Sequence, residues 1–137
     1  LAPVADLKDD LIFNSITGAV QAAQWHVDEI VKLPAGAVHL MGDAEFPHQA
    51  FRLGQTCWGV QFHPEIDDEL MAQWSTPSSM AGMPKTPEQA ISQTAAARAE
   101  LHRTWEPVAR AFARLLTPDN LGSMQRALLL SSRDGAK

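Results

Sequence analysis

The stretch Gly59-Val60-Gln61-Phe62-His63-Pro64-Glu65 decides how this 137-residue chain is read. It reads as a short apolar strand that ends in a histidine and a glutamate two residues apart, with a proline between them. A strand alternates its side chains between faces, so residues i and i+2 point the same way. With extended geometry held through Pro64, the His63 imidazole and the Glu65 carboxylate are expected side by side. A carboxylate in that place holds one ring nitrogen as a donor and leaves the other as a base. That is the back half of a nucleophile–base–orienter triad. No obvious nucleophile accompanies it. Cys57 shares the face of His63 by parity, but on an extended strand at ~3.3 Å per residue it lies roughly 20 Å away. A nucleophile must come within hydrogen-bond reach of its base. A half-buried structural thiol is therefore the expectation for Cys57.

Outward from this stretch, short strands alternate with turn signals. Gly54-Gln55 suits a two-residue hairpin turn with glycine first. It joins a strand over Gln49–Leu53 to one over Thr56–Phe62. Further upstream, Ala37–Met41 reads as a strand after the turn Lys32-Leu33-Pro34-Ala35-Gly36, and Ala19–Trp25 reads as another. In residues 1–18, Leu7 and Leu11-Ile12-Phe13 suggest a short helix or loop packed on a core. Downstream, Asp67-Asp68-Glu69 is acid-rich, as a helix N-terminus prefers, and Leu70, Met71 and Trp74 give that helix an apolar side. Residues 75–85 read as a loop. A long helix then starts at the N-cap Thr86, with Pro87 at its first position and Gln89 completing a capping box. Its expected apolar stripe is Ile91, Ala95, Leu101, Trp105, Val108, Phe112 and Leu115. Pro107 interrupts the run, but the stripe stays in phase, so one kinked helix is expected. Residues 119–130 are expected to add a short helix and 131–137 a polar tail. The domain reading is 1–118, with 119–137 as that helix and tail.

Composition narrows the classes. The chain is 45% hydrophobic and 20% charged, enough to build a core and unlike a disordered segment. Its net charge is −5, and no basic patch for phosphates appears, which argues against nucleic-acid binding. No apolar run approaches the length of a transmembrane helix, and there is no signal-peptide pattern. One cysteine excludes an internal disulfide and fits a reducing, cytoplasmic setting. No cofactor is implied. His26 with Asp28 has no third ligand at a sensible spacing, so no metal is expected. His39, His48 and His102 read as isolated surface or helix residues. Trp58, Trp74 and Trp105 read as packing.

Four blocks stand in order: Trp25-His26-Val27-Asp28, Leu33-Pro34-Ala35-Gly36-Ala37, Gln49-Ala50-Phe51-Arg52 and Gly59-Val60-Gln61-Phe62-His63-Pro64-Glu65. Together, over about residues 20–75, they resemble the class I glutamine amidotransferases, most of all the GMP-synthase-like glutaminase branch. The resemblance implies an α/β, doubly wound, flavodoxin-like domain with a Cys–His–Glu triad. In that family a cysteine on a sharp Gly-x-Cys-x-Gly elbow attacks the side-chain amide of glutamine, and the histidine shuttles the proton. The glutamate orients the histidine, and the thioester is hydrolysed after ammonia leaves. By the match His63 is the base and acid and Glu65 the orienter. Trp25 and His26 fall in a block that lies near the glutamine site. Nothing here matches the elbow cysteine, the oxyanion-hole glycines or the first strands, so the resemblance is to the C-terminal portion of the domain. It implies L-glutamine as substrate. It also implies an N-terminal part or partner chain carrying the cysteine, and a synthetase domain or a second copy as further partners. The chain alone is expected to be inactive and, with an uncovered sheet edge, to associate. A γ-glutamyl hydrolase of the same fold, and a noncatalytic binding or regulatory domain, stand as alternatives.

Overall fold

The structure, a computed structural model, describes residues 1–117 together with Asn120 and Gly122. The short helix expected over 119–130 and the polar tail over 131–137 lie outside the described residues, apart from those two positions.

The architecture is α/β. Four strands, β1 (Ala2–Pro3), β2 (Ala37–Gly42), β3 (Ala50–Leu53) and β4 (Cys57–Val60), form one sheet in the order β1-β2-β3-β4. All pairs are antiparallel. The parallel pairing of a doubly wound domain is absent among the described residues. β2, β3 and β4 are the strands expected from sequence, with β4 ending before Phe62. The β3–β4 turn is longer than expected. Leu53 pairs with Cys57, so three residues form the loop, and Gly54 enters it at φ +64°, a conformation that costs glycine little. Gly59 serves a different need: a Cβ there would fall 2.4 Å from the Phe51 ring, which lies across it from the neighbouring strand.

Ala19–Trp25 is not a strand. Its backbone bonds to Leu1 through Val20, in both directions at 2.8 Å, and meets His63 in one isolated bridge at Ala23, without joining a strand of the sheet. Its backbone is spent elsewhere, since the Gln21 carbonyl accepts the Trp105 indole N–H at 3.0 Å. Alanine and glutamine also bring little strand preference. β1 was not foreseen, being two residues long and set by its pairing to β2. The segment after it is a series of turns that sends Leu7, Ile12, Phe13 and Ile16 into the core, as the loop alternative for residues 1–18 anticipated.

Among the described residues two helices accompany the sheet, α1 (Asp68–Trp74) and α2 (Pro87–Leu115). The Asp67 side chain accepts the Leu70 N–H and caps α1. Thr86 and Gln89 form the expected capping box of α2, with Pro87 at its start. α2 runs unbroken past Pro107. Its buried stripe, however, is Ala90, Thr94, Leu101, Trp105 and Val108, with Ala97, Ala111 and Leu115 packed beside it. Ala95 and Phe112, expected on that stripe, are exposed. The true stripe steps by three and four through small residues, which let the helix approach closely but carry a weak hydropathy signal. Thr94 is compatible with burial because its hydroxyl donates to the Ala90 carbonyl.

The apolar interior divides in two. One cluster gathers Phe13, Leu40, Met41, Phe62, Leu101 and Trp105 between the sheet, the N-terminal turns and α2. The second gathers Ile66, Met71, Met80 and Ala90, with Trp25 and Trp74 packed against it. The motif segment passes from the first cluster, at Phe62, to the second, at Ile66. His63, Pro64 and Glu65 are therefore held between two anchors.

Candidate functional site

Backbone hydrogen bonds carry the chain out of β4 and fix its aim. Gln61 N–H donates to the Gln49 carbonyl at 2.9 Å, and His63 N–H donates to the Ala23 carbonyl at 2.9 Å. Between them Phe62 points inward, 2% exposed, with its ring 4.7 Å from that of Trp105. His63 therefore points away from that core. Strand geometry does not continue through Pro64: Pro64 and Glu65 lie in a turn. The expected pair forms nonetheless, with His63 Nδ1 donating to Glu65 Oε1 at 2.8 Å. The turn, rather than strand parity, brings them together. The glutamate fixes the proton on Nδ1, so the neutral ring has its lone pair on Nε2, as a general base requires. The His63 side chain is 28% exposed and that of Glu65 53%.

The residues singled out upstream lie close by, in a different relation. Trp25 stands 6.0 Å from Trp74, and the Trp74 ring meets the His63 ring edge-to-face at 4.9 Å and 80°. His26 makes no hydrogen bond or aromatic contact to His63 among the described residues. Its Nδ1 donates to the Asp28 carbonyl at 2.8 Å, and its Nε2 pairs with the Gln24 side-chain amide at 2.9 Å. With both nitrogens engaged and Phe46 against its ring at 4.9 Å, His26 is a fixed wall rather than a proton carrier. Trp25 and His26 line a half-open cleft of about 740 Å³ with Ala23, Phe46, Met83 and Leu101. His63 and Glu65 do not line it.

Gln61 is a site residue that the sequence reading passed over. Its side-chain oxygen accepts the Ile30 N–H at 3.0 Å, and its nitrogen donates to the Asp28 carbonyl at 3.0 Å. One amide thus ties the loop after His26 to the motif strand. The available signal was its position one residue from Phe62 in the alternation, opposite the buried ring. Two other readings change. Cys57 is exposed on β4 rather than half-buried. His39 and His48, read as isolated, face each other with ring centroids 5.1 Å apart. His39 donates to the Pro47 carbonyl, and His48 to that of Ile30. His102 is an exposed helix residue beside Glu106, as read. No group of three or more His, Cys, Asp or Glu side chains that could hold a metal occurs among the described residues. No described helix is long and apolar enough to cross a membrane.

A histidine held by a carboxylate can serve as a proton acceptor, and the comparisons with known proteins give the pair a context. The chain is 39% identical over 59 residues to the GMP synthase [glutamine-hydrolyzing] of Porphyromonas gingivalis (strain W83). It is 32% identical over 59 residues to that of Helicobacter pylori (strain HPAG1). These matches cover 42% and 43% of the chain, and 12% and 11% of the relatives. The chain thus spans about an eighth of the length of these curated relatives. No family model matches it, and no solved structure does. The findings support a relationship to glutamine amidotransferases.

Proposed function

We propose that this chain is part of a class I glutamine amidotransferase domain, its C-terminal portion, and that it supplies the base and orienter of a Cys–His–Glu triad. The carrying observation is the 2.8 Å hydrogen bond from His63 Nδ1 to Glu65 Oε1 in a chain related in sequence to GMP synthases. His63 Nε2 takes the proton of the nucleophilic thiol and returns it to the departing ammonia. Glu65 holds the ring and offsets the imidazolium charge. Trp25 and His26 form the glutamine side. The cysteine, its elbow and the parallel strands of a flavodoxin-like sheet come from an N-terminal part or partner chain. The ammonia passes to an acceptor held by a synthetase domain. The setting is cytoplasmic.

The test is glutamate release from L-glutamine by the full-length gene product and by the 137-residue chain. The full-length protein is expected to be active and to lose at least about 10²-fold in His63→Ala, the scale of a positioned acid–base group. The chain alone is expected to be inactive. Full-length activity that survives His63→Ala, or an active chain whose turnover depends on His63, overturns the reading. An inactive full-length protein favours the noncatalytic alternative.

A further inference from the structure

We infer that Trp74 is a positioning residue for His63: its indole forms a wall that keeps the imidazole in the orientation Glu65 requires. The inference rests on the base–orienter reading above. It starts from the weakness of the other restraint. Among the described residues Glu65 is the one side chain hydrogen-bonded to His63, and it is 53% exposed. An exposed pair of this kind holds little by itself. The second torsion of histidine is broad and roughly two-fold, so a ring turned over puts the Cδ2 carbon where Nδ1 met the carboxylate, and the hydrogen bond is lost. Packing must oppose that turn. Among the described aromatic rings the one against His63 is Trp74, edge-to-face at 4.9 Å and 80°.

Trp74 is itself well fixed. It ends α1, whose start is capped by Asp67 two residues after Glu65. Met71 buries the middle of α1 at 4% exposure, and the Asp68 carboxylate meets Arg98 of α2 at 2.9 Å. Trp25 backs the indole on another side at 6.0 Å. The chain thus leaves the motif, turns into a short helix and returns an aromatic ring to the histidine it has just passed. A Trp74 that only filled the second cluster would be indifferent to which nitrogen of His63 carries the proton.

The experiment reads that proton directly, by long-range ¹H–¹⁵N correlation spectra of the labelled 137-residue chain at alkaline pH, where the imidazole is neutral. In the wild-type chain His63 is expected to be mostly the Nδ1–H tautomer, with cross-relaxation between its ring protons and the Trp74 indole. In Trp74→Leu the ratio of Nδ1–H to Nε2–H is expected to fall roughly two- to tenfold, the factor that an ordinary aromatic contact represents. Trp74→Phe, which keeps a ring, is expected to hold the wild-type ratio. The Trp105 indole N–H, bonded to the Gln21 carbonyl, reports the fold in each variant. An unchanged ratio in Trp74→Leu with the Trp105 signal in place overturns the inference. Where Trp74→Leu loses that signal, the wild-type cross-relaxation and the Trp74→Phe ratio decide, and absence of the former or a changed ratio in the latter overturns it. A wild-type chain already dominated by Nε2–H instead overturns the base–orienter reading, an outcome separate from any effect of Trp74.

Discussion

Replacing Phe62 by alanine should destabilise the chain far more than replacing its neighbour Val60, although the two stand two residues apart in the motif. Phe62 is 2% exposed and stacks on Trp105 at 4.7 Å and 33°. Truncating a fully buried phenylalanine costs about 3–5 kcal/mol, from lost transfer free energy and the cavity left behind. Some of that, ~0.5–1.5 kcal/mol, is the ring pair itself. Val60 is 41% exposed, so Val60→Ala removes partly hydrated methyls and should cost about 1 kcal/mol or less. A domain of this size has a total stability of roughly 5–15 kcal/mol. Phe62→Ala therefore removes a large share, and its urea midpoint should fall well below that of Val60→Ala. Circular dichroism is the appropriate probe, because the substitution changes the surroundings of Trp105 and would distort a fluorescence signal. The His63 amide should also exchange faster, since its bond to the Ala23 carbonyl follows directly on the Phe62 anchor. A Phe62→Ala loss within about 1 kcal/mol of the Val60→Ala loss would show that Phe62 does not anchor the motif to the core.

Two further outcomes are expected. Asp10→Asn should cost about 1–3 kcal/mol by urea unfolding, because Asp10 is 5% exposed and receives Arg52 Nε at 3.0 Å, the Ile12 and Phe13 amides and the Trp58 indole; the Arg52 side chain is 25% exposed, which keeps the figure below that of a fully buried pair. On the surface of α2, the hydrogen bond and charge of Arg110 hold the Glu106 carboxyl below its ordinary value. A depressed folded-state value contributes stability that is present above the unfolded-state value and lost as pH falls through the folded one, so Glu106→Gln should flatten the acid limb of melting temperature against pH, and added salt should do likewise; an acid limb of unchanged slope in the variant would remove Glu106 from the account.

What could be read from sequence depended on whether the cause was local. Thr86, Pro87 and Gln89 specify a helix start through bonds among themselves, and α2 begins there. The β3–β4 hairpin was legible from a glycine between two apolar runs, with only the turn length misjudged. Ala19–Trp25 failed because its hydrogen bonds go to Leu1, Trp105 and His63, all distant in sequence, and no local pattern announces such partners. The α2 stripe was displaced because Ala90 and Thr94 are buried for their small size and satisfied hydroxyl. The role of Asp10 appears only once Arg52 and Trp58 are brought to it across the fold. At the site, His63 and Glu65 were legible as a pair, although for a reason the structure replaces with a turn. Gln61 and Trp74 were not, because each acts on a segment distant in sequence or folded back by a helix.

The energetics of the His63–Glu65 pair separate its two conceivable roles. As a stabilising contact, a half-exposed histidine–glutamate hydrogen bond contributes about 0–1 kcal/mol. As an acid–base device, a positioned imidazole contributes about 10²–10⁴-fold in rate, or ~3–5 kcal/mol of barrier at 1.36 kcal/mol per tenfold. In the proposed catalytic role the same atoms would carry several times more free energy in a transition state than in the folding equilibrium. Phe62 is the opposite case, with a large stability term and no group for proton transfer. The motif thus alternates function along with side-chain direction: Phe62 holds the segment and His63 is presented by it. His63→Ala should remove the proposed activity of the full-length protein with little loss of stability, while Phe62→Ala should lower stability first and that activity only as the histidine loosens.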